Sequence, residues 1–228
     1  MERVHNINEN LELEELSISI IRRFQHEISR ILSYYYNVNT HFKESGKNVA
    51  DELANQNNNI NAKTNREIDR IRHEYFYSTD IFPTILSNTS LLICISTFEK
   101  QISDYCDLLK MRYQLKIGFK DLSGQGIEKN QNFISKVLGI DIIHRSKNWS
   151  NIIGYVKIRN IIAHNGGIVA EKSEINKNPI SIFIKNEFIE IDNYTIKLTK
   201  KGTENLIETI NEFWQEMKKS IMEKNASK

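Results

Sequence analysis

Only two prolines, Pro83 and Pro179, interrupt a chain of 228 residues, and of its nine glycines only Gly46 precedes Gly118. Proline breaks a helix by removing a donor and crowding the preceding turn, and glycine weakens it through backbone entropy. A first half with almost no breakers leaves room for long, uninterrupted helices. Apolar periodicity agrees. From about Glu9 to Tyr36 the residues Leu13, Leu16, Ile20, Phe24, Ile28, Ile31, Leu32 and Tyr35 recur at a helical period, with a stripe that must face a partner.

The segment from Thr40 to Asn65 is polar and Asn-rich, and reads as helix or loop; Val49, Leu53 and Ile60 tilt it toward helix. Glu67 to Tyr77 reads as a helix with Ile68, Ile71 and Tyr75 on one side. Pro83 then suits the first turn of a long helix carrying Ile85, Leu86, Leu92, Ile93, Phe98, Glu99, Ile102, Tyr105 and Leu109. Gly118 to Gln131 reads as a loop, without the pattern of a phosphate-binding turn. Glu128 to Leu138 reads as a short helix ended by Gly139. His144 to Lys147 is a polar connection into a helix starting near Asn148 or Trp149. After Gly167 come three alternating runs, Ile180 to Lys185, Phe188 to Ile191 and Thr195 to Thr199. With Asp192-Asn193 as a turn signal, they predict a small antiparallel hairpin or three-stranded meander. A final helix opens at Thr203 and runs to about residue 224, with Leu206, Ile210, Phe213, Trp214, Met217 and Ile221 on its core side. The expected organisation is an N-terminal helical region, residues 1–80, packed on or extending from a helical domain, residues 81–228. The fold class is mainly α.

Composition narrows the function classes. A charged fraction of 26% and a hydrophobic fraction of 39% describe a soluble globular protein. The net charge of +2 supplies no global basic field, so contact with nucleic acid would have to come from local clusters. Cys94 and Cys106 fall too far apart on one predicted helix to bridge, and no spacing offers a zinc ligand set. No apolar run approaches membrane-spanning length, and the start Met1-Glu2-Arg3-Val4-His5 lacks the apolar core of a signal peptide. The expectation is a reduced, cytoplasmic protein with no metal, no cofactor and no membrane association.

The stretch that carries chemistry is Lys157-Ile158-Arg159-Asn160-Ile161-Ile162-Ala163-His164-Asn165-Gly166-Gly167. A permanent cation and an imidazole able to move a proton near neutral pH suit phosphate-ester chemistry. Five residues apart on an undisturbed helix they diverge, and a bend or fray at the last turn could bring both into one cleft. A similar pattern, Arg66 to His73, has an acid after its arginine and charges throughout, as a solvated helix face would. The Arg159 segment instead sits among Trp149, Ile152, Ile153, Tyr155, Val156, Ile158, Ile161 and Ile162, where a polar group needs a reason.

Arg159-Asn160 followed by His164 resembles the RNA-cleaving motif of the HEPN superfamily: arginine, a polar residue, a short spacer, histidine. The resemblance is close over about 148–164 and extends loosely, as an all-helical pattern, from Pro83 onward. It implies a HEPN-like helical bundle and a metal-independent endoribonuclease in which two copies form one cleft, so a homodimer or higher symmetric oligomer. It implies catalytic roles for Arg159, His164 and Asn160, with Asn165 beside them in support, and an acid on the facing helix, for which Glu99 is the candidate. Glu99 either pairs with Arg159 or turns to solvent beside Lys100. Lys157, Arg145, Lys147 and Lys172 flank the motif and could track an RNA backbone. The family further implies a toxin-like or antiviral effector cutting cellular RNA, with a possible neutralising or sensor partner. The competing expectation is a non-catalytic all-helical module that binds RNA or protein, with Arg159 a structural partner of Glu99 and His164 a helix-cap residue.

Overall fold

A computed structural model describes residues 2–57, 65–169, 175, 177 and 179–226. Within these, helix α1 spans Glu2–Asn57, α2 Asn65–Phe76, α3 Phe82–Arg112, α4 Ile127–Asn132, α5 Ile142–Arg145 and α6 Lys147–Asn165. Helix α7 (Ile180–Lys185), strands β1 (Ile189–Asp192) and β2 (Thr195–Leu198), and helix α8 (Lys200–Ala226) follow. The molecule is mainly helical, with a two-stranded antiparallel sheet before its C-terminal helix.

The shortage of breakers has its full effect in α1, whose 56 residues form one helix about 84 Å long. The Asn-rich segment up to Asn57 continues it. Phe24 and Ile28 are buried in the same cluster as Leu91, Ile95, Phe98, Phe213 and Trp214, so the N-terminal region shares the core of the rest. Further along α1, the backbone of Gly46 passes so close to Thr79 that a Cβ there would lie 2.7 Å from the threonine methyl. The side chains of Leu13, Leu16, Leu32 and Leu53, and Ile60 and Lys172 altogether, lie outside the described residues.

Pro83 sits in the first turn of α3, as expected, and α3 continues the helical run from α2 without a break. Residues Arg66 to Arg112 form one continuous helical run, and the boundary expected near residue 80 falls inside it. The proline is accommodated by a wide π-turn at Tyr77–Ile81, where Phe82 N–H donates to the Tyr77 carbonyl five residues back. This turn absorbs the crowding that a proline ring imposes on the carbonyl four positions earlier. The run also corrects the expectation about membrane-spanning length. No residue from Ile81 to Phe98 is charged, and the helix is long and apolar enough, by length and composition, to cross a membrane. Leu91, Cys94, Ile95 and Phe98 from this stretch are nonetheless packed in the protein core.

The second correction concerns Ile180–Lys185, expected as a strand and found as helix α7. Six residues of alternating apolar character do not distinguish strand from helix. Packing decides: Ile180 and Phe183, one helical turn apart, are buried, and Phe183 stands edge-on to Tyr155 at 4.5 Å between ring centroids. Gly154 leaves room for the Phe183 ring, which would meet a Cβ at 2.8 Å. The hairpin itself pairs Ile189 with Leu198 and Asp192 with Thr195. Its turn is Asn193-Tyr194, one residue later than expected, with both residues at positive φ as a tight two-residue hairpin turn requires.

Candidate functional site

Helix α6 starts where Ser146 accepts a hydrogen bond from Trp149 N–H, closing the helix N-terminus. The Ser146 hydroxyl and the Asn148 amide both donate to Glu216 of α8, at 2.5 and 2.9 Å. Midway, Tyr155 is fully buried with its hydroxyl 2.9 Å from the Gly202 carbonyl and from Asn205 Oδ1, and burial pushes its pKa up. The helix ends at Gly166 and Gly167, at φ 62° and 81°, whose N–H groups both reach the Ile161 carbonyl. These left-handed conformations favour glycine and stop the helix.

Immediately beyond, the chain joins β2. Ile196 N–H donates to the Gly167 carbonyl and Val169 N–H to the Tyr194 carbonyl, both at 2.9 Å, and Ile168 bridges Thr195. Asn88 of α3 completes this edge: its amide donates to the Ile196 carbonyl at 3.0 Å and accepts from Leu198 N–H at 3.2 Å. A buried side-chain amide thus does the work of a further strand on an otherwise open edge. Asn88 was not singled out from the sequence, although an amide inside the uncharged Ile81–Phe98 stretch is a signal that could have found it.

Between its two anchored ends, α6 carries the motif. Arg159 Nη2 donates to Glu99 Oε1 of α3 at 2.5 Å, with the two side chains 19% and 24% exposed. The structure therefore brings Glu99 and Arg159 together across two helices. Arg159 Nε is buried without a hydrogen-bond partner among the described residues. His164, Asn160, Asn165 and Lys157 are exposed. Among the described residues the His164 side chain makes no hydrogen bond and no ion pair.

Regular helical geometry sets the remaining relations. The helix continues through Asn165, so His164 lies about 140° around the axis from Arg159, and the two heads do not converge within one chain. Lys157, Asn160 and His164, at spacings of three and four, instead form one exposed stripe. Lys147 lies about 18 Å along the axis from Arg159, too far to serve the same phosphate. Arg145 is occupied by Asp141 at 2.7 Å. Among the described residues, no group of three or more His, Cys, Asp or Glu side chains could hold a metal ion. Cys94 and Cys106 are free and buried, and desolvation pushes the Cys94 thiol up to about 12.

One further cluster escaped the sequence reading. Lys197 of β2 donates to Asp80 Oδ1 at 2.5 Å and to Asp192 Oδ2 at 3.0 Å, with only 13% of its side chain exposed. Burial pulls its pKa down, but the hydrogen bonds and charges of the two carboxylates outweigh that, and the net shift is upward. Asp80 is delivered by the π-turn, a local distortion that periodicity does not reveal.

The chain matches no protein-family model, no curated protein and no solved structure.

Proposed function

We propose that the protein is a metal-independent endoribonuclease of HEPN type that acts as a symmetric dimer. The observation that carries this reading is the arrangement on α6: a guanidinium oriented by Glu99 on the facing helix, and an exposed, unpaired imidazole five residues on. RNA carries its own nucleophile, so a protein needs to supply only proton transfer and stabilisation of phosphate charge. His164 takes the proton from a ribose 2′-hydroxyl, whose oxygen attacks the adjacent phosphorus as the 5′-oxygen leaves; the histidine of a second copy protonates that oxygen. Arg159 binds the phosphate and stabilises its developing charge, with Asn160 and Asn165 as further donors. The products are a 2′,3′-cyclic phosphate and a 5′-hydroxyl, and DNA is refused for lack of the 2′-hydroxyl.

The divergence of Arg159 and His164 on one helix supports the dimer. A two-fold axis beside α6 can face the arginine of one copy toward the histidine of the other, an arrangement one chain cannot make. Expression of an active enzyme of this kind would arrest growth, as for a toxin or antiviral effector, unless a partner restrained it.

The test is incubation of purified protein with total RNA in EDTA, beside a His164→Ala control. Cleavage by the wild type alone, giving cyclic-phosphate ends, supports the reading; equal cleavage, or none by either, removes it. A second reading draws on the same ion pair: if the Arg159–Glu99 bond only joins α6 to α3, the chain is a helical binding module. That module keeps its partner when His164 is replaced.

A further inference from the structure

Helix α3 is uncharged from Ile81 to Phe98, yet it does not bury this stretch all round. Leu91, Ile95 and Phe98 turn into the core, while Ile85, Thr89, Ile93 and Ser96 turn outward. A helix face left in water normally carries charge. This one carries none over about three turns, and exposed apolar surface of that kind marks a contact site.

Two hollows run along the face. One, of about 480 Å³, lies between α1 and α3, with Ile31, Tyr34, Leu86 and Ile93 as apolar walls and Glu27 and Arg30 on its α1 side. The other, of about 380 Å³, lies on α3 between Leu92, Ser96 and Lys100 and shares Ile93 and Thr97 with the first. Ile93, 45% exposed, is thus a ridge with a hollow on either side.

The α1 side carries a charge pattern. Arg23, Glu27, Arg30 and Tyr34 recur at spacings of four, three and four, and so share one stripe of the helix. Glu27 and Arg30 are close enough in sequence to pair, but among the described residues neither makes an ion pair or a hydrogen bond. Tyr34 is 64% exposed and its hydroxyl has no partner among the described residues, whereas the Tyr36 hydroxyl donates to Glu204.

We propose that a second copy of the chain covers this face, with α1 and α3 packed antiparallel on their counterparts around a two-fold axis. The charge pattern identifies the occupant. An axis crossing α1 midway between positions 27 and 30 sets Glu27 against the partner's Arg30 and Arg30 against the partner's Glu27. The same axis sets Tyr34 against the partner's Arg23, whose guanidinium can lie on the phenol ring. An unrelated protein would have to bring this order of base, acid, base and aromatic ring; a second copy has it by construction. Ser96 and Thr97 are small, and the hollow beside them receives the partner's Ile93, ridge into groove. The contact does not rest on the ribonuclease reading. Alone it builds a dimer, and with a two-fold axis beside α6 it builds a tetramer.

Sedimentation equilibrium of the full chain, with helix content followed by circular dichroism, tests this. The wild type should sediment at two or four chain masses. Ile93→Glu puts a charge on the ridge and should halve that mass with helix content unchanged. Glu27→Arg sets like charges against each other in both contacts and should weaken self-association at least about tenfold, as should Arg30→Glu. Glu27→Arg combined with Arg30→Glu exchanges acid and base in both copies and should restore the wild-type mass, a rescue that no loss of folding can imitate. A monomeric wild type, a mass indifferent to Ile93→Glu, or a double variant no better than the single ones would each overturn the proposal. If the mass halves in Ile93→Glu while the wild type shows no RNA cleavage dependent on His164, the ribonuclease reading falls and this contact stands. Cleavage dependent on His164, with a mass indifferent to Ile93→Glu, gives the reverse.

Discussion

The arginine–histidine segments of α2 and α6 look alike in sequence, and the protein treats them oppositely. In α2, Arg70 pairs with Glu74 four residues on and Arg72 lies 3.9 Å from Asp69 three residues back, all largely exposed. His73 is exposed and stacks on Tyr77 one turn away. In α6, Arg159 reaches across to Glu99, sixty positions earlier in sequence, from a half-buried site, while its histidine has no local partner among the described residues. Residue type is the same in both. The first segment spends its charges on its own surface, where such pairs contribute little. The second commits one charge to the tertiary structure and leaves the imidazole exposed.

The largest expected effect separates the two histidines. His164→Ala should lower RNA cleavage by about 100-fold or more, the scale of a lost general acid–base group, whereas His73→Ala should leave it unchanged. Comparable losses in both would end the distinction. Arg159→Lys comes next: a point charge cannot reproduce the guanidinium fork, so cleavage should drop by roughly tenfold or more while Arg66→Lys has no effect. Retained activity in Arg159→Lys would show that charge alone suffices there. In thermal or denaturant unfolding, Glu99→Ala should cost about 1–2 kcal/mol, below the penalty for breaking a fully buried pair because both side chains keep some exposure. Glu74→Ala should cost about 0.5 kcal/mol or less. Similar values for the two would mean that Arg159 is no better anchored than Arg70. The last signal is confined to alkali and vanishes at neutral pH. Cys94 titrates near 9.0 when unfolded and at about 12 in the fold, so the native state holds its proton more tightly. Its contribution is complete below pH 9 and is lost as pH rises toward 12, at about 1.4 kcal/mol per pH unit. Cys94→Ala should flatten that part of the stability profile.

The long helices were legible because periodicity and the scarcity of breakers act locally, and each residue of α1 or α8 reports its own environment. The hairpin was legible for the same reason, from Phe188 to Thr199. Ile180–Lys185 was not, because its conformation is decided by Phe183 meeting Tyr155 and Gly154, contacts that no six-residue window contains. At the site, Arg159 and His164 could be read from residue types on an apolar helix, whereas Glu99 was left between Arg159 and solvent until the two helices were placed side by side. Asn88 and the Asp80–Lys197–Asp192 trio could not be placed, since their partners come together only when α3, the π-turn and β2 are assembled. The spread of Arg145 and Lys147 away from Arg159 likewise follows from helix rise rather than from proximity in sequence.

Trp149 opens the motif helix and Trp214 lies on α8, and both rings are almost wholly shielded within one aromatic cluster around Phe98 and Phe213. These are the only tryptophans in the chain. Intrinsic fluorescence therefore has no surface background: emission from both indoles reports whether α3, α6 and α8 remain locked together. A substitution that silences the motif without moving that emission has changed the chemistry and not the scaffold, and this optical control needs no label and no substrate.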